Sequence, residues 1–274
     1  MRLSQKLNLW QKLLKKKMSK LVVINQDAKI GKNVKIDSFS SIHENVIIGD
    51  NCWIGSNVTI YPGARIGANC QIFPGAVISA IPQDLKFQGE NTTAVIGENV
   101  IIRECVTINR GTSHSNTTIV GDNTFLMAYS HVAHDCVINN NVIIANGVAI
   151  AGHVEIDEYA IIGGLSAIQQ FSKIGKFSMV SGGSLVRKDV PPYIKVAKEP
   201  LRFIGINKIG LKRNNFNKEK IENIASIFRI IFQEGNNISK AIEILEKNHD
   251  CSNEKQEILK FIKNSKTGII KGFY

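Results

Sequence analysis

The sequence predicts a mainly β protein: a parallel β-helix over residues 21–191, a helical C-terminal domain over 192–274, and a basic N-terminal extension over 1–20. Three observations lead there. Every sixth residue from Ile30 to Val186 gives 27 sites, and 24 of them are Ile, Val or Leu in one phase. The residue four places beyond each site is usually small, as at Val34, Cys52, Ala64, Ala76, Cys136 and Ser166. After Asp189-Val190-Pro191-Pro192-Tyr193 that period stops, and apolar residues recur at helical spacing instead.

A helix needs apolar spacing near 3.6 and a half-buried strand needs 2, so a strict period of six fits neither. It fits a solenoid of short strands, in which three hexapeptides close one triangular coil of 18 residues. Each face then turns one large aliphatic and one small side chain inward, and coils stack at strand spacing, ~4.8 Å. Burial of one aliphatic side chain contributes roughly 1.5–3 kcal/mol, so two dozen such sites make a sufficient core. Cys52, Cys70 and Cys136 fall in the small inward slot, where a thiol behaves as a small hydrophobe.

The period fails at Asp84, Glu90 and His114 and resumes in phase each time. Two loops, about 80–95 and 109–119, therefore leave the coil and return to it. Loops on a rigid scaffold commonly carry function. Asp84 and Lys86 in the first are candidates to hold a polar ligand.

Beyond the coil, Ile221, Ile224, Ile227, Phe228, Ile231 and Phe232 share one helical face, with Asn217 as N-cap and Gly235 past the end. Shorter helices are expected over Ile238 to Leu245 and Ile258 to Ile262, and Lys208, Lys212 and Arg213 form a phosphate-grip candidate. At the other end Leu3, Leu7, Trp10 and Leu14 have the spacing of a basic amphipathic helix. A start at Met18 is favoured over that reading, because the period begins just after it.

Composition narrows the class. No run approaches the ~18–20 apolar residues of a membrane span, and the first twenty residues lack the apolar stretch of a secretion signal, so a cytoplasmic protein without transmembrane segments is expected. Five cysteines without CxxC spacing point to reduced thiols rather than a disulfide framework. The formal net charge of +11 is uneven: residues 1–20 carry seven basic and no acidic groups, and 192–274 sixteen against nine. That distribution suits an acidic partner, and no nucleic acid is called for.

The candidate chemistry lies in Ser130-His131-Val132-Ala133-His134-Asp135-Cys136, where Val132 and Cys136 take inward slots. His131, His134 and Asp135 should therefore face outward or line an edge. Adding 18 to His134 reaches Gly152, and adding 18 again reaches Gln170, so the three should stack in adjacent coils with His153 beside Gly152. A histidine base opposite a glycine N–H suits acyl transfer: the imidazole takes a hydroxyl proton and the N–H meets the developing oxyanion. Asp135 would fix the imidazole tautomer.

Five runs carry a family resemblance: Gln83-Asp84-Leu85-Lys86; Arg103-Glu104-Cys105-Val106-Thr107-Ile108-Asn109-Arg110-Gly111-Thr112; His131-Val132-Ala133-His134-Asp135-Cys136; Ala151-Gly152-His153-Val154; and Asp189-Val190-Pro191-Pro192-Tyr193. Together they resemble the UDP-N-acetylglucosamine O-acyltransferases that begin lipid A synthesis, from about residue 20 to the C-terminal end. The resemblance implies a left-handed coil, an exception to the usual right-handed crossover, and a homotrimer with sites between subunits. It implies His134 as the general base that deprotonates the sugar 3-hydroxyl for attack on a 3-hydroxyacyl thioester of acyl carrier protein. Gly152 N–H would meet the oxyanion, and Asp84, Lys86, His131, His153, Gln170, Asn207 and Arg213 would hold the sugar nucleotide. Gly182 would help to measure acyl length, with no cofactor and no metal required. Gln169, Pro200 and Ile209 depart from residues common in the family, which puts acyl length and nucleotide affinity in question.

Rival readings predict different features. A 3-amino sugar acceptor or a coenzyme A donor would keep the coil and the base. A metalloenzyme resembling γ-class carbonic anhydrases would need three convergent histidines, for which His131, His134 and His153 suffice in number. A binding solenoid would show a ladder of repeated outward residues, and none is evident.

Overall fold

In the computed structural model, which describes residues 21–247 and 252–272, the hexapeptides form three parallel sheets wrapped around one core. Strands of two to four residues follow one another through the first, second and third sheets in rotation, so each strand's hydrogen-bonded partner lies one coil away. Val23 pairs with Ser41, Lys29 with Ile47 and Lys35 with Trp53, one on each face. The aliphatic residues of the six-residue period point inward and are buried from Ile42 onward, as are Cys52, Cys70 and Cys136. The N-terminal extension and Cys251 lie outside the described residues.

Turns between strands repeat one device. Asn33, Asn51, Asn69, Asn99, Asn123 and Asn141 all sit at positive φ on the edge between the second and third sheets. Asparagine tolerates this left-handed conformation better than most residues. The Asn33 Nδ2 donates to Asn51 Oδ1 over 3.2 Å, and the Asn51 Nδ2 to Asn69 Oδ1 over 3.4 Å, so the turns bond along the axis as the strands do.

Val77 pairs with Thr107 and Thr107 with His131, steps of 30 and 24 residues in place of 18. The two detours, 81–92 and 110–116, thus lengthen the coil by whole hexapeptides, two in the first and one in the second. That is why the period resumes in phase. Both detours leave the first sheet and re-enter the second, so they share one edge of the prism.

Two features differ from the sequence reading. Helix was expected directly after residue 191, but Ile194–Ala197 adds one more parallel strand to the third sheet and Arg202–Ile206 pairs with it antiparallel. Apolar residues on alternate positions there signal strand, not helix. Helices then follow: α1 (Lys208–Arg213), α2 (Lys218–Phe232), α3 (Ile238–Lys247) and α4 (Asn253–Lys263). Asn217 caps α2 as expected, accepting from Lys220 N–H. The second difference is an outward apolar column on the third sheet. Ile101, Phe125, Ile143, Ile161 and Met179 pair in succession and stay partly exposed. The ladder escapes the sequence reading because its members differ in type and the second detour changes its spacing.

The helical part locks onto the end of the coil. Phe203, Phe228 and Phe232 stack at 4.8–5.8 Å between ring centroids. Glu257 of α4 accepts from Lys176 Nζ at 2.5 Å and from the Tyr193 hydroxyl. None of the described helices is long and apolar enough to cross a membrane.

Candidate active site

The edge shared by the two detours also carries the turns 133–136, 151–154 and 169–172. The stacking expected from the 18-residue coil is present: His153 N–H donates to the His134 carbonyl (3.1 Å) and Phe171 N–H to the Gly152 carbonyl (3.2 Å). Gly152 faces the imidazole directly. A Cβ placed on it would stand 2.7 Å from His134 Cε1 and 2.8 Å from Nε2. Among the described residues the Gly152 N–H donates no hydrogen bond.

His134 Nδ1 lies 2.7 Å from Asp135 Oδ2, and the two side chains are 8% and 0% exposed. The sequence reading has both face outward or line an edge, and they line this edge. They do leave the core, but the second detour folds over them and buries them.

That detour supplies the donors a buried carboxylate requires. Asp135 Oδ1 accepts from Thr112 N–H (3.0 Å), Ser115 N–H (3.2 Å) and the Ser115 hydroxyl, and Oδ2 from the Thr112 hydroxyl at 2.6 Å. Burial pushes the Asp135 carboxyl up, but the hydrogen bonds from Ser115, Thr112 and His134 outweigh it and hold it well below the usual carboxylate range. An ionised Asp135 only accepts, so His134 Nδ1 is the donor of that hydrogen bond, and Nε2 is left facing Gly152.

Other imidazoles surround this pair. His131 Nδ1 shares a 2.7 Å hydrogen bond with Thr107 Oγ1, and burial, then repulsion from His134, lowers its proton affinity. His153 stacks on Phe171 (4.5 Å, 11°) and meets His114 and His134 edge-on. Burial lowers its proton affinity too; Asp135 opposes that, His134 and His114 reinforce it, and Asp84 opposes it more weakly. The first detour therefore bears on the cluster through the Asp84 charge. Asp84 Oδ1 itself accepts from Lys86 N–H at 2.9 Å, and Lys86 and Gln170 are exposed.

Not every candidate lies on this edge. Asn207 is buried as the N-cap of α1, accepting from Gly210 N–H and donating from Nδ2 to the Phe177 carbonyl (2.9 Å), on the edge between the second and third sheets. Arg213 ends α1 and is exposed. Gly182 occupies the remaining edge, between the third and first sheets, against the Gly164 carbonyl. One chain thus distributes the candidates over all three edges.

Sequence reasoning missed Thr112, Ser115, His114 and Phe171. The interruption of the period at His114 was the available signal, because it marks the segment that closes over Asp135.

His134, Asp135 and His153 also bring potential metal-ligand atoms within 4.8 Å of one another. Tetrahedral zinc at about 2.0–2.1 Å sets ligand atoms roughly 3.4 Å apart. Asp135 already accepts from residues of the second detour and from His134. The donor set fits a base–carboxylate pair better than a zinc site.

An imidazole held by a buried carboxylate, opposite a backbone N–H without a partner among the described residues, suits an acyltransferase built on a hexapeptide coil. Comparison with known proteins gives the particular family. Residues 27–52, 45–80 and 117–152 match the model of the bacterial transferase hexapeptide (six repeats), and residues 189–270 that of UDP N-acetylglucosamine O-acyltransferase, domain 2. The acyl-[acyl-carrier-protein]–UDP-N-acetylglucosamine O-acyltransferase of Aquifex aeolicus is 54% identical over 195 residues, 71% of this chain and 75% of its own. That of Chlorobaculum parvum is 52% identical over 192 residues, 70% of this chain and 73% of its own. The crystal structure of a UDP-N-acetylglucosamine acyltransferase from Bacteroides fragilis superposes with a TM-score of 0.90 at 50% identity, covering 92% of this chain and 98% of that one. The chain belongs to the acyl-[acyl-carrier-protein]–UDP-N-acetylglucosamine O-acyltransferase family, with its left-handed parallel β-helix of hexapeptides and helical cap.

Proposed function

We propose that this chain transfers a 3-hydroxyacyl group from acyl carrier protein to the 3-hydroxyl of UDP-N-acetylglucosamine, the first step of lipid A biosynthesis, with His134 as general base. The observation that carries the assignment is the face-to-face placement of His134 and Gly152, with Nδ1 occupied by Asp135 and Nε2 turned toward the glycine. Nε2 takes the proton of the sugar hydroxyl as its oxygen attacks the thioester carbonyl. The tetrahedral oxyanion forms against the Gly152 N–H. Collapse breaks the carbon–sulfur bond, and the imidazolium returns the proton to the departing thiolate, so the base ends as it began.

Asp84, Lys86, His131, His153 and Gln170 hold the sugar nucleotide around that centre, and Asn207 and Arg213 of the cap add a polar wall and a phosphate contact. Gly182, without a side chain to obstruct an alkyl tail, sets the reach of the acyl groove. Because these residues occupy three edges of one prism, a site containing them all draws on neighbouring copies, which supports a homotrimer. The outward column from Ile101 to Met179 provides an apolar surface suited to such packing. Residues 21–191 then serve as scaffold and 192–274 as cap. The reaction is placed in the cytoplasm, and the positive charge of the C-terminal part suits the acidic carrier protein.

Replacement of His134 by Ala tests the base. Turnover of a 3-hydroxyacyl carrier protein with UDP-N-acetylglucosamine should fall at least ~10²–10⁴-fold while the oligomer survives. Near-normal turnover would overturn the assignment.

A further inference from the structure

We propose that Thr112 and Ser115, both in the second detour, are positioning residues that set the orientation and basicity of His134 through Asp135. The inference rests on the reading of His134 as the base and goes beyond it, because it gives the detour 110–116 a chemical task.

Asp135 has no exposed side-chain surface, and among the described residues every hydrogen-bond donor to its carboxylate apart from His134 comes from Thr112 or Ser115, with His153 Nε2 further off at 3.9 Å from Oδ2. The proton of each hydroxyl is assigned from the hydrogen bonds around it. The Thr112 hydroxyl oxygen accepts from His114 N–H (3.2 Å), so its own proton points to Asp135 Oδ2. Ser115 Oγ lies close to both Asp135 Oδ1 and the Thr117 carbonyl, and its contact with the carboxylate is the shorter, so its proton goes there. Thr118 Oγ1 completes the cradle from below by accepting the Asp135 backbone N–H at 2.8 Å.

Oδ2 is the oxygen that His134 uses, and the Thr112 hydroxyl competes for its electron density. While both donors are present, the carboxylate charge is shared and the imidazolium is stabilised only in part. Without the Thr112 hydroxyl, Oδ2 concentrates on His134 Nδ1–H, and the base holds its proton more tightly while losing a fixed direction. The other titratable groups around the pair are His131, His153, His114 and Asp84, none of which the substitutions below remove.

The test is the pH profile of kcat/KM for Thr112→Val, Ser115→Ala and Thr112→Ser, with UDP-N-acetylglucosamine and a 3-hydroxyacyl carrier protein as substrates. Thr112→Val should lower kcat/KM by about tenfold or more, the usual weight of a hydrogen bond to a charged group. Its acid limb should move to higher pH by roughly half a unit. Ser115→Ala should shift the limb in the same direction by less, since it acts on Oδ1. Thr112→Ser should restore the profile to within about twofold.

A purely structural role predicts lost activity or lost melting temperature with the acid limb unmoved, and that result overturns the proposal. So does a Thr112→Ser variant no better than Thr112→Val. Should Thr112→Val fail to fold, the half carried by Ser115→Ala, at an exposed position, still decides by the presence or absence of its shift. His134→Ala separates the two readings: if it retains turnover the base assignment falls, whereas an inactive His134→Ala beside an unshifted Thr112→Val refutes the positioning role alone.

Discussion

Replacing Gly152 by Ala adds one methyl group at the most sensitive point of the site. The Gly152 backbone does not occupy the left-handed region, so alanine is not strained by its own φ. Its methyl, however, would stand 2.7 Å from His134 Cε1 and 2.8 Å from Nε2, where ordinary contacts lie at 3.4–4 Å. The ring has to retreat by roughly 1 Å, and it cannot swing freely because Nδ1 is tied to Asp135 at 2.7 Å. Misplacement of a reacting group by ~1 Å can cost about 10²-fold in rate. The main chains cannot separate instead without stretching the 3.1 Å bond from His153 N–H to the His134 carbonyl. We expect kcat/KM to fall about 10²-fold, with overpacking lowering stability by ~1–3 kcal/mol. Steady-state kinetics together with a thermal melt provide the assay. A folded Gly152→Ala variant with near-normal turnover would show that the imidazole does not act from this position.

Further outcomes follow from burial and charge. His131 and His153 bind protons less readily in the fold than in the unfolded chain, which gains them first as the pH falls. Stability should therefore decline from about pH 6.5 downward, and His153→Gln should flatten the slope of melting temperature against pH. An unchanged slope would show that His153 does not contribute. The Asp135 carboxyl acts in a separate window: its contribution is complete above the ordinary value of 3.8 and is lost only as the pH falls below it. Among the described cysteines, Cys105 is exposed while Cys52, Cys70 and Cys136 are buried; burial pushes the Cys136 thiol up to about 12. A thiol reagent followed by mass spectrometry should modify Cys105 in the native protein and the other three only after unfolding. Arg213→Ala should raise the KM for UDP-N-acetylglucosamine with a smaller effect on kcat; unchanged nucleotide binding would remove Arg213 from the site. Under the trimer proposed above, Ile143→Asp, in the middle of the outward column, should shift the mass in solution from three chains toward one, and an unchanged mass would place the interface elsewhere.

Much of the architecture was legible because the coil translates sequence into space by a fixed rule. Adding 18 to His134 gives Gly152 as its neighbour, and the register of the strands agrees. The rule works wherever the hexapeptide persists, since each inward side chain must fill the same slot. It stops inside the detours, and the partners of Asp135 lie there. Thr112 and Ser115 are ordinary loop residues by composition, and only the folded path of 110–116 carries them over a carboxylate some twenty residues away. The asparagine turns were visible in principle, three places after the aliphatic site at Asn33, Asn51 and Asn69. They report turn conformation rather than chemistry. The strand at Ile194–Ala197 was obscured because Pro191 and Pro192 break the period just before it.

The stacking of coils also acts as a scale. Residues on one edge can be separated along the axis only by whole rungs of ~4.8 Å, and changing edge within a coil advances a third of a rung. Distances between His134 and any residue further along the axis are therefore graduated, and the backbone offers no intermediate settings. A molecule built this way makes coarse changes of length by adding or removing a coil, and leaves the vernier to its side chains.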